Sequence, residues 1–213
     1  MSPYHHGDLR RAILTAALDV ITTDGPAALS LRDLARRAGV SHAAPAHHFR
    51  DRTGLLTAIA AEGHGLLAEA LAGGTDLRDT GARYVRFARE HPAHFQVMFT
   101  PELLRPDDLE LTTARALSGA ALTDAVAATA NATTGATATT GATTKTGATT
   151  DAGDHTDTRQ ARIAAWSLAH GFATLLLGHN LDGLLDDLQG DQEPEEVFRN
   201  LPLTLFAPPN PAP

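Results

Sequence analysis

The stretch GVSHAAPAHHFRDRTGLL, residues 39–56, puts three histidines, one serine and two arginines into a single short run. Three chemistries could draw on that set. A metal site needs ligands converging from one face. His42 and His47 are five apart, about 140° around a helix, while His47 and His48 are adjacent and diverge. Nucleophilic catalysis needs a serine activated by an oriented base; Ser41 has no such partner by spacing, and a helix N-cap explains it. No metal or cofactor is expected, and no constellation supports an enzyme. The third chemistry is contact, with His42 and His47 facing a groove and His48 donating to a phosphate beside helix-capping amides. Histidines serving only surface and packing are the alternative.

The elements that must carry these residues follow from caps and breakers. Ser30 followed by Asp33 forms a capping-box variant, the serine accepting from the first turn and the aspartate reaching back. Gly39 ends that helix where a left-handed residue is wanted. Val40 plugs the corner, and Ser41 is the expected N-cap of the next helix. Ala35 is small enough to let the two helices approach. Pro45 falls in a first turn, where its missing N–H does least harm. Helix, glycine-containing turn, helix is the plan whose second helix enters the DNA major groove. Ala43, Ala44 and Ala46 permit close approach and can touch a thymine methyl. Ser30, Arg32, His48 and Arg52 are the candidate phosphate clamps. His5, His6, Arg10 and Arg11 read either as an arm against the backbone or minor groove or as an unstructured terminus.

The rest of the chain is read as all-α, because i, i+3, i+4 apolar spacing recurs and no alternating strand does. Leu9, Ile13, Ala16, Ala17 and Val20 form one stripe, stopped at Asp24-Gly25-Pro26. Leu55 to Leu67 form a longer helix that fades at Gly73-Gly74. Leu77, Tyr84, Val85 and Ala88 form another, closed at residues 91–92. Phe95, Met98 and Phe99 make an apolar knot before a proline-rich corner and a helix to about Val126. Between Ala127 and Arg162 no Val, Ile, Leu, Met or aromatic residue occurs. A segment that buries so little apolar surface is expected to be a disordered loop. A strongly apolar helix then carries Trp166, His170, Phe172 and Leu175 on or near one face. A helical bundle can enclose a ligand among such side chains; plain core or a dimer seam serves equally well. The expected division is 1–50 for the DNA-reading domain and 51–206 for a helical regulatory body, with 127–157 an insertion and 207–213 a proline-rich tail.

Charge supports two parts. Net charge is −8, yet residues 1–60 hold seven arginines against five aspartates, leaving the remainder strongly acidic. There is no cysteine, so disulfide and thiol chemistry are excluded. No apolar run approaches the roughly 20 residues of a bilayer span, and the N-terminus lacks a signal-peptide core. A soluble cytoplasmic protein without membrane contact is expected.

Residues 8–60, through ILTAALDVI, DG, LSLRDLARRAGVS, HHF and LL, resemble the N-terminal domain of the TetR family of bacterial transcriptional regulators. YHHGDLRRAIL, HPAHFQVMF and AWSLAHGFATLLLG look like its branch marked by Trp-His-Gly, here Trp166, His170 and Gly171. The resemblance implies an all-helical homodimer, a palindromic double-stranded operator and a small-molecule effector that releases a repressor. It places dimerisation on helices at about 158–185 and 194–206. The effector pocket is expected among Phe95, Met98, Phe99 and Trp166, with His170. The chain departs from the family at Ala46, where a tyrosine usually packs on phosphate, at His47, often arginine, at Arg52, usually lysine, and at Gly54, commonly glutamate. A second reading stays open: a ligand- or partner-binding dimer whose reading head has decayed. Duplex affinity that rises on acidification separates the two, because groove histidines gain charge.

Overall fold

Apolar side chains at helical spacing, punctuated by Gly and Pro, partition this chain into helices alone. The computed structural model describes residues 6–137, 151–187 and 192–201, and every regular element among them is helical. The α-helices are α1 (His6–Asp24), α2 (Leu31–Arg37), α3 (Ala44–Phe49), α4 (Arg52–Leu71), α5 (Leu77–Glu90), α6 (Pro92–Met98), α7 (Leu109–Thr137), α8 (Asp151–Leu177), α9 (Asp182–Asp186) and α10 (Pro194–Arg199). The described residues fall within two compact units, one drawn from 1–73 and 87–124, the other from 74–86 and 125–213.

In the first unit the stripe Ile13, Leu14, Ala17, Val20 and Ile21 of α1 is buried. Each of the isoleucine, leucine and valine side chains contributes roughly 1.5–3 kcal/mol by leaving water. Gly25, at φ 78°, takes the left-handed turn that stops α1, and Pro26 follows. Helix α4 supplies Leu55, Leu56, Ile59 and Ala60, all fully buried. It lies so close to α6 that a Cβ on Gly63 would sit 2.6 Å from the Met98 sulfur and 3.0 Å from the His94 Cβ. Behind it, buried His64 has its Nδ1 3.0 Å from the Ser118 hydroxyl of α7. Burial, reinforced by the Arg115 charge, lowers the His64 pKa to about 4.

The second unit closes on Asp79 of α5. Arg83 Nε donates to one carboxylate oxygen at 2.9 Å, and the Arg199 guanidinium of α10 donates to the other at 3.1 Å. Gly81 has no Cβ because the Phe198 ring occupies that space, at 2.3 Å from where the atom would be. Phe198 in turn packs edge-on against Phe172 of α8, centroids 5.4 Å apart.

The expected loop over 127–162 is corrected at both ends. Helix α7 continues to Thr137 and α8 begins at Asp151, while residues 138–150 lie outside the described residues. Alanine is the strongest helix former and elongation of a packed helix is cheap, so both helices run into the Ala/Thr stretch without apolar anchors. Thr129 helps locally: its hydroxyl accepts from Leu77 N–H at 3.1 Å and donates to the Ala125 carbonyl at 2.9 Å. Of the expected helix at 194–206, α10 covers Pro194–Arg199. Positions 202–206 and the tail at 207–213 lie outside the described residues.

Candidate nucleic-acid interface

Helices α2 and α3 are set by short-range chemistry. Ser30, in extended conformation, caps α2 by accepting from Asp33 N–H at 3.5 Å. Asp33 does not reach back as the capping box requires. Its carboxylate is held at 2.6 Å by Arg36 and at 2.6 Å by Arg37, and Arg37 foremost, then Arg36, keeps its pKa below the usual range. Charged partners one turn ahead outcompete a neutral backbone amide. At the other end Gly39, with φ 66°, donates to Arg36 O at 3.3 Å while Val40 donates to Ala35 O at 2.9 Å. That pair of bonds is the Schellman closure.

The start of α3 differs from expectation. Ser41 is not the N-cap; Ala43 is, and no side chain caps it. The reason is Pro45. A helix capped at Ser41 would close its first bond from residue 45 to Ser41 O, and proline has no N–H to donate. The Ser41 carbonyl instead accepts from Ala44 at 3.0 Å, and Ala43 O accepts from His47 at 3.0 Å.

This register divides the residues of the head. His42, Ala43, Ala46 and His47 are exposed, while Ala44, Pro45 and Phe49 are buried. Ala44 therefore packs inward, a correction to its expected role at the groove, because it falls on the same side as Phe49. His48 is half-buried, edge-on to His47 at 5.4 Å and 6.1 Å from the Phe49 ring. Ser30, Arg32 and Ser41 are exposed. Arg52 is part-buried and donates to the Pro26 carbonyl at 2.6 Å, so it braces α4 against the turn after α1. The amides expected to share a phosphate with His48 are already engaged: Asp51 caps α4, accepting from Gly54 N–H at 2.8 Å.

Nor do Arg10 and Arg11 form an arm. Both lie inside α1, Arg11 bonding Glu62 and Arg10 standing 5.6 Å over the Phe49 ring and 3.6 Å from Glu110. Their carboxylate partners arrive from α4 and α7, which no local pattern reveals. Glu62, next to His94 and then Arg11, has its pKa held below the ordinary value.

Between α3 and α4 stands a residue the spacing does not single out. Arg50 has φ 68° and ψ −58°, and Asp51 N–H donates across it to Phe49 O at 2.9 Å. These angles define a strained three-residue turn. The same turn explains Gly54, since a Cβ there would lie 2.0 Å from the Phe49 carbonyl oxygen.

The residues expected to meet an effector separate into two groups. Phe95 and Met98 are buried in the first unit, and Phe99 stacks edge-on to Phe95 with centroids 5.0 Å apart. Trp166 and His170 belong to the second unit, rings 5.6 Å apart. There the Tyr84 hydroxyl lies 2.9 Å from His170 Nδ1 and is also hydrogen-bonded by Trp166. Burial raises the Tyr84 pKa and lowers that of His170, so both stay neutral near pH 7. Tyr84 reads as core in the sequence; its hydroxyl's partners come from a helix some eighty residues away.

Comparisons with known proteins bear on this arrangement. A profile described as "Bacterial regulatory proteins, tetR family" matches residues 13–59, and one described as "Tetracyclin repressor-like, C-terminal domain" matches residues 77–199. No curated protein matches the chain. Among solved structures, a protein of unknown function from Rhodococcus sp. RHA1 is 32% identical, covers 93% of this chain and 93% of that one, and has a TM-score of 0.63. A bacterial regulatory protein in the tetR family from Rhodococcus RHA1 shares the fold at 20% identity, over 89% of this chain and 90% of that one, TM-score 0.59. So does a tetR-family transcriptional regulator from Streptomyces coelicolor, at 18% identity over 91% and 76%, TM-score 0.56. With the helix-turn-helix matched by one profile and more than half of the 213 residues by the other, the chain belongs to the TetR family of DNA-binding transcriptional regulators.

Proposed function

We propose that the protein is a homodimeric repressor that binds a palindromic operator and is released by a small molecule. The observation that carries this reading is the two-sided head: Ala44, Pro45 and Phe49 anchor α3 while His42, Ala43, Ala46 and His47 face outward. Such a face suits the major groove, the alanines meeting thymine methyls and the imidazoles meeting purine edges. Ser30, Arg32, Ser41 and His48 border that face and are the proposed backbone contacts.

The dimer is proposed to form on α8, where Ile163, Ser167, Thr174 and Leu175 are exposed along the helix. Exposed aliphatic side chains among small hydroxyl ones form a face that a second copy can cover with two-fold symmetry. Effector recognition is proposed at Tyr84, Trp166 and His170, which combine aromatic area with a short polar relay. An effector that favours a dimer whose two α3 helices fall out of register with successive grooves empties the operator by population shift.

Selection of duplexes from a random pool by the purified protein tests the reading. Enrichment of a palindrome, with affinity that falls steeply as salt rises, is expected. An unenriched pool, or equal binding to scrambled duplex, refutes it.

A further inference from the structure

The structure assigns Arg50, rather than Arg52, as the phosphate clamp where the recognition helix joins α4. The inference rests on the DNA-binding reading and adds a residue to it.

Two independent observations converge on Arg50. The first is charge. The reading head has seven arginines, and most are spent internally. Arg10 faces Glu110, Arg11 bonds Glu62, Arg36 and Arg37 share Asp33, and Arg52 holds the Pro26 carbonyl. Arg105, which shares a groove of about 700 Å³ with Arg50 and His48, is tied to Asp51 at 2.7 Å. Arg32 and Arg50 are exposed, and neither has an ion-pair or side-chain hydrogen-bond partner among the described residues. One stands at the start of α2 and the other at the end of α3, so together they bracket the outward face.

The second is the backbone. Arg50 carries a Cβ at φ 68°, a conformation that glycine or asparagine adopts at lower cost. Gly54 is kept bare so that this turn can close. A strained turn that displays a long, unpaired cation is accounted for by use of the side chain. Arg50 is the exposed residue that closes α3, and the sugar-phosphate backbone runs beside the end of a helix seated in the major groove.

The test uses the full-length protein and a mixed-sequence 40-base-pair duplex, so no operator need be known. Arg50→Gly removes the charge and the strain together; Arg50→Lys keeps the charge; Arg52→Gln removes the brace. For Arg50→Gly we expect a melting temperature equal to or above wild type, with the slope of log affinity against log salt shallower by about 0.9 per engaged protomer. Arg50→Lys restores the slope. Arg52→Gln lowers the melting temperature and leaves the slope alone. A wild-type slope in Arg50→Gly, or a slope lost in Arg52→Gln instead, overturns the assignment while leaving DNA binding intact. Wild-type protein that binds no duplex at all overturns the DNA-binding reading and this assignment with it.

Discussion

At the scale of single residues, two positions look like defects until their surroundings are drawn in. Gly54 occupies a first-turn position where the family commonly has glutamate, and by local propensity a glutamate would strengthen the helix. The Phe49 carbonyl, 2.0 Å from any Cβ there, reverses that expectation. Gly54→Glu should destabilise the protein by about 2 kcal/mol or more, seen as a lower denaturant midpoint; a gain in stability would refute the steric account. His64 is the second case. The unfolded histidine takes its proton near 6.5 and the folded one near 4, so between those values the unfolded state binds more protons. Stability is therefore full above about pH 6.5 and is lost as pH falls through that window, on the order of 3 kcal/mol by pH 4. Burial also lowers His91 and His170, which adds to the slope. His64→Leu should flatten the fall in melting temperature between pH 7 and pH 5, and Ser118 stays satisfied through the Arg115 carbonyl at 3.1 Å. An unchanged fall would mean that this imidazole is not the buried group that titrates.

At the scale of elements, caps and stops were legible wherever the signal is local. Ser30, Gly39 and the Asp24-Gly25-Pro26 stop need only their neighbours, and each stands where its chemistry puts it. Ser41 is displaced as the cap by Ala43 because Pro45 lacks the N–H that a helix capped at Ser41 would need. The Ala/Thr stretch is helical up to Thr137 and again from Asp151, because absence of apolar residues argues against a core, not against a helix already nucleated next door. Helix packing is the harder level. Gly63 lets α4 meet α6, and nothing in its flanks marks it among the chain's eighteen glycines. Gly63→Val should cost about 1–3 kcal/mol by forcing Met98 and His94 aside, while Gly65→Val, whose added Cβ would meet nothing within 4 Å, leaves stability unchanged or slightly raised, because valine is a better helix former than glycine. Equal losses in calorimetry would show that the α4–α6 approach is not tight.

At the scale of the whole molecule, the proposed function depends on a second copy. A Cβ on Gly171 would meet nothing within 4 Å inside the protomer. Gly171→Arg should therefore fold normally and yet sediment as a monomer, with duplex affinity reduced at least tenfold, if α8 is the dimer face. An intact dimer in sedimentation would move that face elsewhere. Trp166, 45% exposed on the same helix, provides a fluorescence reporter for effector screening.

The sequence by itself determined the helical class and the helix-turn-helix, because these depend on spacing, caps and breakers within a few residues of one another. Apart from Arg36 and Arg37, which pair with Asp33 within one helix, tertiary structure decided which arginines remain available. Arg10, Arg11 and Arg105 lose that availability to carboxylates some fifty or more positions away, and Arg52 to a carbonyl twenty-six positions away. Arg50 keeps it because, although Asp107, Asp108 and Glu110 line the same groove, no carboxylate among the described residues forms an ion pair with its guanidinium. An ion pair needs two charges brought within a few ångströms, and only the folded chain sets that distance.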